Sequence, residues 1–393
     1  RQIWSALGRD GASLGTLGVV SEPLQRKLAH TTPDPIVVHE ILAELVNAGI
    51  DHLALEASSH GLEQRRLDGV KVSAAAFTNL SRDHFDYHAD EEAYFQAKLR
   101  LFDTVMISGG TSVLPCASPL TERLASICKG HGHQILTFGT GGDVDLHWRE
   151  PLPAGQRLAI AVEDQTREID LPLIGAFQAD NVLCAIALIV ASGEPPEAVL
   201  AAAEKLTVVT GRLQAVGGGV FVDYAHKPDA LRAAIAALRP YAKGQLIVLF
   251  GCGGDRDRGK RAQMGRIAHE LADRVVVTDD NPRSEDPAAI RAEILCGCPD
   301  AVEIAERRKA IAKAIAWLES GDLLLIAGKG HETGQEIAGV IHSFDDVATA
   351  DVFVASRSAG GRAGRRAKEM EAEAGLRKSE AGAVPRKSEA EAV

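Results

Sequence analysis

The segment TDDNPRSEDP, residues 278–287, brings two adjacent aspartates, an asparagine and an arginine together. The apolar run ADRVVV before it predicts a buried strand, and AAIRAEIL after it predicts a helix with Pro287 near its first turn. The polar side chains therefore lie on a loop at the C-terminal end of a strand. In open parallel sheets this edge is where ligands bind, so the loop is a candidate binding site.

A glutamate opens the segment EASSHGLEQRRLDG, residues 56–69, directly after the apolar run HLAL. Two serines, a histidine, Gln64 and Arg66 follow it. The residues alone leave two interpretations open. The segment is either a polar loop that caps a helix, or a carboxylate near a metal ion with hydroxyl, amide and guanidinium groups that hold a polar substrate.

Histidines and aspartates crowd the next loop after a strand, in TNLSRDHFDYHADEEAYFQAKLRLF, residues 78–102. Such side chains are suitable ligands for Mg²⁺ or Mn²⁺. The alternative for His84 and His88 is a helix-capping or packing role. Lys98 lies in the predicted helix that follows, in an apolar setting where a lysine usually extends its ammonium group to the surface.

Two glycine-rich loops follow later strands. The first, FGCGGDRDRGKR at 250–261, has an arginine where the third glycine of a dinucleotide-binding GxGxxG motif belongs. It instead offers backbone N–H groups and four cationic side chains: Arg256, Arg258, Lys260 and Arg261. These groups suit a phosphate or a carboxylate. The second, AGKGHETGQE at 327–336, adds a lysine, a histidine and a glutamate. The loops together predict an active site between two α/β domains.

Strand-like and helical patterns alternate over most of the chain. The runs GVFVDYAH, QLIVLFGCGG, DRVVVTDD and DLLLIAGKG each end in a glycine-rich or acidic loop, which predicts βαβ units with parallel sheets. We predict one α/β domain over residues 1–206 and a second over 207–356. Residues 357–393 are rich in Gly, Ala and charged residues and bury too little apolar surface to offset ordering entropy, so we predict a disordered tail.

The composition is that of a soluble globular protein, with 46% hydrophobic and 25% charged residues among 393. A net charge of −11 argues against general binding to nucleic acid or to an anionic membrane. No apolar run approaches the roughly 20 residues of a membrane span. The six cysteines are scattered, and CGC at 296–298 lacks CxxC spacing, which favours unpaired thiols in a reducing cytosol.

The motifs EASSHGL, FTNLSRDHFDYH, DYAH, FGCGGDRDRGKR, TDDNPR and AGKGHE together resemble those of the Mur ligases, ATP-dependent enzymes that add amino acids during peptidoglycan synthesis. The resemblance runs from near Gly15 to near Ala355. It is greatest to the members that add meso-diaminopimelate to UDP-N-acetylmuramoyl-L-alanyl-D-glutamate. It implies an incomplete central ATPase-type domain with a parallel sheet, a C-terminal Rossmann-like α/β domain, and a cytoplasmic monomer that acts in cell-wall biogenesis.

The resemblance assigns the incoming amino acid to residues of the last three loops. The implied contacts to diaminopimelate are Arg256, Asp280, Asn281, Pro282, Arg283, Gly328 and Glu332. Diaminopimelate is a lysine with a second carboxylate on its far carbon. An arginine can bind that carboxylate with two parallel charge-assisted hydrogen bonds, whereas lysine would leave the arginine unpaired. The resemblance therefore makes Arg283 the residue that selects diaminopimelate over lysine.

Further site residues follow from the resemblance by position. The implied contacts to the UDP-muramoyl dipeptide are Thr31, Thr32, Ser58, Gln64 and Arg66. Those to ATP are Asn181, Arg212 and Asp223. The implied ligands of Mg²⁺ are Glu56, His84 and a carbamylated Lys98, and the last two are the implied catalytic residues. Carbamylation converts a cation that is costly to bury into a carboxylate-like group beside Mg²⁺.

The implied reaction transfers the γ-phosphate of ATP to the D-glutamate carboxylate, and the amine of diaminopimelate then displaces phosphate. The phosphate-binding GxxxxGK[ST] motif of the family does not occur in the sequence. We therefore expect an N-terminally incomplete ligase that does not turn over ATP on its own. The alternatives are a non-catalytic, ligase-like protein that binds substrate or a partner, and a folate-polyglutamate ligase, which DDNPR disfavours.

Overall fold

The computed structural model describes residues 1–80 and 87–357. In the described part before residue 206, helices and strands form two sheets with flanking helices. The helices are α1 (Gln2–Ala6), α2 (Pro35–Asn47), α3 (Ser59–Glu63), α4 (Glu91–Arg100), α5 (Thr121–Gly130), α6 (Ala176–Ala191) and α7 (Pro196–Ala203). The strands are β1 (Gly11–Gly15), β2 (Gly18–Val20), β3 (Gln25–Arg26), β4 (His52–Leu55), β5 (Val72–Ala76), β6 (Met106–Pro115), β7 (Gln134–Phe138), β8 (Val144–Leu152), β9 (Gly155–Val162) and β10 (Gln165–Leu171).

One sheet of this part has the strand order β3-β2-β1-β4 and the other β10-β9-β8-β7-β6-β5. The pairings β1–β4, β5–β6, β6–β7 and β7–β8 are parallel, which confirms the predicted α/β class. The pairings among β8, β9 and β10 are antiparallel, a feature that the prediction of parallel sheets missed. A two-residue connection, in which Glu163 has a φ of 52°, joins β9 to β10 and reverses the chain.

The second part of the described chain is built around one further sheet. Its helices are α8 (Pro228–Leu238), α9 (Gly259–Leu271), α10 (Pro287–Leu295) and α11 (Arg307–Trp317), and residues 346–357 are also helical. Its strands are β11 (Gln214–Gly217), β12 (Val220–Asp223), β13 (Leu246–Phe250), β14 (Arg274–Val277), β15 (Val302–Glu303) and β16 (Leu323–Ala327), followed by the hairpin β17 (Gly334–Ile337) and β18 (Val340–Ser343). The order is β11-β12-β16-β13-β14-β15, and only the edge strand β11 is antiparallel among these described strands.

The central strand β13 shows why this sheet forms. All five of its residues, LIVLF, are buried, because helices cover both faces of the sheet. Val248 and Phe250 pack in the cluster with α8, α9 and α10, whereas Ile247 and Leu249 pack in the cluster with α11. The continuous apolar run thus fills two cores through the alternation of its side chains.

The strand order places the polar loops side by side. The strands β12, β16, β13 and β14 are consecutive neighbours in the sheet and are parallel, so their C-terminal ends lie along one edge. The helices after β12 and β13 cover one face and α11, before β16, covers the other. The order in which strands are added to the sheet therefore reverses between β13 and β16, although the two strands are parallel. Ligand crevices form outside such a switch point.

Several predictions fall at the limits of the structure. The predicted tail, residues 357–393, lies outside the described residues except for Arg357, which is the last described residue and is helical, and His84 lies outside them as well. The predicted domain boundary at residue 206 lies between α7 and β11 and stays a prediction. Within residues 1–80 and 87–357, no helix is both long and apolar enough to cross a membrane.

Candidate active site

The loops after β12, β13, β14 and β16 enclose a cavity of about 190 Å³. Its walls carry both charges and several hydrogen-bonding groups: Tyr224, His226, Gly253, Arg256, Asp257, Lys260, Asp280, Asn281, Arg283, Gly328 and Glu332. A zwitterion with more than one carboxylate and ammonium group fits such a mixture of charges. The cavity brings together six of the seven residues implied for diaminopimelate, and the seventh, Pro282, lies between two of them in the chain.

Arg283 is held in place by backbone and side-chain contacts. Its φ of 52° is in the left-handed region that non-glycine residues rarely adopt. Its backbone N–H donates to the carbonyl of Glu336 at 3.1 Å, and its carbonyl accepts from the N–H of Ala338 at 2.7 Å. Its Nη1 donates to the carbonyl of Gly254 at 2.7 Å. The guanidinium group is thus fixed at the wall of the cavity.

The side chain of Asn281 is part of a buried hydrogen-bond network. Its Oδ1 accepts from Nζ of Lys329 at 2.9 Å and from the backbone N–H of Glu336 at 3.0 Å. Its Nδ2 donates to Oε2 of Glu332 at 2.8 Å, and Lys329 donates to the same oxygen at 2.9 Å. The amide of Asn281 therefore positions the Glu332 carboxylate, which lines the cavity.

Asp280 is a buried carboxylate in a cationic environment. Burial raises the pKa of Asp280, but the charges of Lys329 and Arg307 outweigh this and hold the pKa below its usual value. Arg307 is itself fully buried and forms two 2.7 Å hydrogen bonds with Asp346. Asp280 is therefore ionised at neutral pH and can accept hydrogen bonds from an ammonium group.

The four cations predicted for the loop 250–261 separate into two pairs. Arg261 is fully buried and pairs with Glu285 at 2.8 Å and Glu293 at 2.9 Å, and Arg258 also contacts Glu293. These two arginines join the loop to the loop after β14 and to α10. The other two, Arg256 and Lys260, line the cavity. The sequence could not distinguish the arginines that form ion pairs from the cations that line the cavity, because Glu285 and Glu293 are more than 20 positions away from Arg258 and Arg261.

The residues implied for the UDP-muramoyl dipeptide form one connected group on the other part of the chain. Thr32 donates from its hydroxyl to the carbonyl of Glu56 at 2.9 Å and accepts from the backbone N–H of Ser58 at 2.9 Å. Arg66 donates to the carbonyl of Thr32 at 2.7 Å and to the side chain of Gln64 at 2.6 Å. The hydroxyl of Ser58 caps α3. The hydroxyl of Thr31 lies 3.0 Å from the hydroxyl of Thr16, which in turn donates to the carboxylate of Glu56.

The two carboxylate oxygens of Glu56 have different surroundings. Its Oε2 accepts from the backbone N–H and the hydroxyl of Thr16, at 3.0 and 2.9 Å. Its Oε1 makes no hydrogen bond within residues 1–80 and 87–357. In that part of the chain, no group of three His, Cys, Asp or Glu side chains is arranged to bind a metal. The implied Mg²⁺ set cannot be complete there, because it includes His84 and a modified lysine.

Lys98 lies near the C-terminal end of α4 and is half-buried. Its Nζ lies 5.1 Å from the centre of the Tyr94 ring, and that ring stacks on His88 at 5.0 Å. His88 is buried and contacts the hydroxyl of Ser59 at 2.9 Å. The packing alternative for His88 is thereby supported, and the aromatic surroundings of Lys98 agree with the predicted apolar setting.

The residues implied for ATP lie where the two parts of the chain meet. Asn181 on α6 contacts Gln178 at 3.4 Å, and Gln178 donates to the carbonyl of Arg212 at 3.4 Å. Asp223 at the end of β12 accepts from the backbone N–H of Leu213 at 2.7 Å. Burial raises the pKa of Asp223 to about 6. These contacts bring the three residues into one region.

Two buried side-chain nitrogen atoms in this region make no hydrogen bond to the described residues. Nη1 of Arg212 and Nδ1 of His331 are buried and have no hydrogen-bond partner within the described residues. Burial and the charge of Arg212 lower the pKa of His331 to about 4, against the opposite effect of Glu56. His331 is therefore neutral at physiological pH.

Comparison with known protein families decides the relationship. The Mur ligase middle domain matches residues 1–189, and the Mur ligase glutamate ligase domain matches residues 211–330. The chain belongs to the Mur ligases. It is 52% identical over 360 residues to a UDP-N-acetylmuramoyl-L-alanyl-D-glutamate–2,6-diaminopimelate ligase of Caulobacter vibrioides, over 88% of this chain and 74% of the relative. A ligase of the same name from Mesorhizobium japonicum is 49% identical over 88% and 73% of the two chains.

Solved structures agree with this membership of the Mur ligases. A structure of a UDP-N-acetylmuramoyl-L-alanyl-D-glutamate–2,6-diaminopimelate ligase has a TM-score of 0.63 and 34% identity, over 91% of this chain and 75% of the other. A folylpolyglutamate synthase of Mycobacterium tuberculosis, complexed with ADP and AMPPCP, has a TM-score of 0.70 but 18% identity, over 89% and 86% of the two chains. The second comparison shows a shared fold alone.

Both matched domains of the Mur ligase contribute to the candidate site. The middle domain carries the dipeptide group, Glu56, Lys98 and Asn181, and the glutamate ligase domain carries most of the amino-acid cavity. Sequence reasoning missed Tyr224 and His226 as cavity residues and Thr16 as a partner of Glu56. The motif DYAH was a signal for the first two, because it follows β12 at the same sheet edge. Thr16 carried no comparable signal.

Proposed function

We propose that the protein is the Mur ligase that adds meso-diaminopimelate to UDP-N-acetylmuramoyl-L-alanyl-D-glutamate in the cytoplasm, with ATP as the energy source and Mg²⁺ as the cofactor. The observation that carries the proposal is the cavity in which Arg256 and Arg283 lie with Asp280 and Glu332. A guanidinium group can bind a carboxylate of diaminopimelate with two parallel charge-assisted hydrogen bonds. The identity of about one half to the ligases named above supports this specificity.

In this proposal the amino-acid cavity binds the non-reacting end of diaminopimelate. Arg283 binds the distal carboxylate, and the ionised Asp280 and Glu332 accept hydrogen bonds from the distal ammonium group. Asn281 and Lys329 fix the Glu332 carboxylate in position. The opposite amine is then directed away from the sheet edge, towards the middle domain. Orientation of this kind is the main contribution that a ligase makes to an acyl transfer.

On the other side of the site, the Thr32, Gln64 and Arg66 group binds the UDP-muramoyl dipeptide, and Arg212 with Asn181 and Asp223 binds ATP. The unpartnered Nη1 of Arg212 suits an anionic or polar atom of the nucleotide. Phosphoryl transfer to the D-glutamate carboxylate gives an acyl phosphate, and the neutral amine displaces phosphate from it. Mg²⁺, when bound at Glu56 and a carbamylated Lys98, stabilises negative charge on the phosphates.

The test is an assay of phosphate release by the full-length protein with ATP and Mg²⁺. We expect release only when both the UDP-muramoyl dipeptide and diaminopimelate are present, with formation of the tripeptide product. Replacement of diaminopimelate by lysine should give little product. Release with a folate and glutamate instead would support the folylpolyglutamate alternative, and substrate binding without any release would support a non-catalytic protein.

A further inference from the structure

The hairpin β17–β18 holds the loop that carries Arg283. Gln335 donates from its side chain to the carbonyl of Asp280 at 2.6 Å, and the backbone N–H of Glu336 donates to the Asn281 side chain at 3.0 Å. The backbone of Arg283 continues this pairing through Glu336 and Ala338. The hairpin therefore sets the conformation of the loop, including the left-handed φ of Arg283.

The same hairpin also contacts the side chain of Arg283. Oε2 of Glu336 lies 3.3 Å from Nε of Arg283, while Nη1 of Arg283 donates to the carbonyl of Gly254. Two of the three guanidinium nitrogens are thus held from different directions. Glu336 does not line the cavity formed by the described residues, whereas Arg283 does. Glu336 therefore contacts the guanidinium group without lining the cavity.

We infer that Glu336 is a positioning residue that orients Arg283 towards the distal carboxylate of the incoming amino acid. The inference rests on the function proposed above and deepens it, because it adds a residue that determines specificity without touching the substrate. A guanidinium group held on its Nε edge keeps its remaining N–H groups directed into the cavity. A planar group that rotates freely would present the matching pair of donors for only part of the time.

The contribution of Glu336 is limited by its exposure. Its side chain is 38% exposed and that of Arg283 is 22% exposed, so water screens the ion pair. We expect Glu336→Gln to raise the KM for diaminopimelate by about 3- to 10-fold. The kcat should stay within about twofold, because no reacting atom is touched. Glu336→Asp retains the charge and should restore part of the affinity.

The experiment compares steady-state kinetics of the full-length wild type, Glu336→Gln and Glu336→Asp with diaminopimelate and with lysine. Lysine has no distal carboxylate, so its KM should not change in either variant. In an Arg283→Ala background, Glu336→Gln should have no further effect on diaminopimelate, because the residue through which it acts is gone. Glu319→Gln is the matched control, since Glu319 is exposed and its carboxylate has no partner in the described structure.

Four results would overturn the inference. A fall in the KM for diaminopimelate would show that Glu336 competes with the substrate for Arg283. An equal rise for both amino acids, or an undiminished effect in the Arg283→Ala background, would show that the hairpin acts only as a support. If the wild type adds diaminopimelate but Glu336→Gln and Glu336→Asp behave like it, the inference alone fails. A wild type that does not use diaminopimelate refutes the proposed function as well.

Discussion

At the scale of single residues, the amino-acid cavity depends on charges that are fixed before any ligand binds. Arg283 is restrained at its backbone, at Nε and at Nη1. The Glu332 carboxylate is restrained by Asn281 and Lys329. Restraint of this kind lowers the entropy cost of binding, because the side chains do not need to be ordered by the substrate.

The first prediction concerns Arg283. Arg283→Ala in the full-length enzyme should lower kcat/KM for diaminopimelate by about 30- to 1000-fold, or roughly 2–4 kcal/mol, because a charge-assisted contact is removed. The already poor rate with lysine should change little, since lysine has no distal carboxylate. Arg232→Ala, on the exposed surface of α8, is the control. Equal losses for both amino acids would mean that Arg283 supports the loop and does not select the substrate.

The second prediction concerns Lys98, which is half-buried beside the Tyr94 ring. We predict that it is carbamylated in the full-length enzyme, because a carboxylate-like group suits this place beside Mg²⁺ better than a cation. Lys98→Ala should lose most of the activity, and bicarbonate should not restore it. A carbamate signal in ¹³C NMR after labelling with ¹³C-bicarbonate should appear in the wild type and disappear in Lys98→Arg. A fully active Lys98→Ala would identify Lys98 as an ordinary surface lysine.

At the scale of elements, buried ion pairs connect the loops of the amino-acid cavity to the helices around them. Arg307, at the start of α11, joins Asp346 to the carbonyls of Asp279 and Ala327, at the ends of β14 and β16. Arg261 does the same for α9 and the loops after β13 and β14. These two arginines therefore connect the helix ends to the strand ends around the site.

The third prediction tests this connection through stability. The side chains of Arg307 and Asp346 are both fully buried, so Arg307→Met leaves an unpaired buried carboxylate. The free energy of unfolding should fall by about 3–5 kcal/mol. Lys309→Met, which removes an exposed pair with Glu306 on the same helix, should cost no more than about 1 kcal/mol. Urea denaturation of both variants makes the comparison, and similar small losses would show that the buried pair does not stabilise the fold.

At the scale of the whole molecule, the two matched domains contact each other through closely packed backbone and side chains. The hydroxyl of Tyr241 donates to the carbonyl of Gly155 at 2.6 Å. Gly175, which precedes α6, faces Ala237 on α8 so closely that a Cβ atom there would lie 2.6 Å from the Cβ of Ala237. The relative position of the domains therefore depends on the absence of a side chain at this glycine.

The fourth prediction concerns this contact. Gly175 and Gly193 both have positive φ values, 101° and 96°, so alanine strains the backbone at both, and the ψ of 148° at Gly175 adds to the strain there. Only Gly175→Ala also creates a clash, since no atom lies within 4 Å of the corresponding position at Gly193. Gly175→Ala should therefore cost about 1–3 kcal/mol more than Gly193→Ala. Thermal unfolding of both variants measures this difference, and equal losses would show that the interface adapts without strain.

The sequence by itself determined the α/β class and the positions of the site loops. Runs such as LIVLF and RVVV predicted the buried parallel strands because a strand covered on both faces needs apolar residues at every position. The glycines, acids and cations after these runs predicted the loops at the sheet edge, since they are the residues that a sheet interior excludes. The resemblance to the Mur ligases then supplied the expected chemistry of these loops.

Only the tertiary structure decided which charges face the cavity and which stabilise the fold. Arg256 and Arg261 lie on one loop and look equivalent in the sequence, yet one lines the cavity and the other pairs with Glu285 and Glu293. Glu336 became relevant only when the hairpin placed it beside Arg283. The physical reason is that a side chain's role depends on partners distant in the chain. Local patterns determine where a strand ends, whereas the strand order determines what meets there.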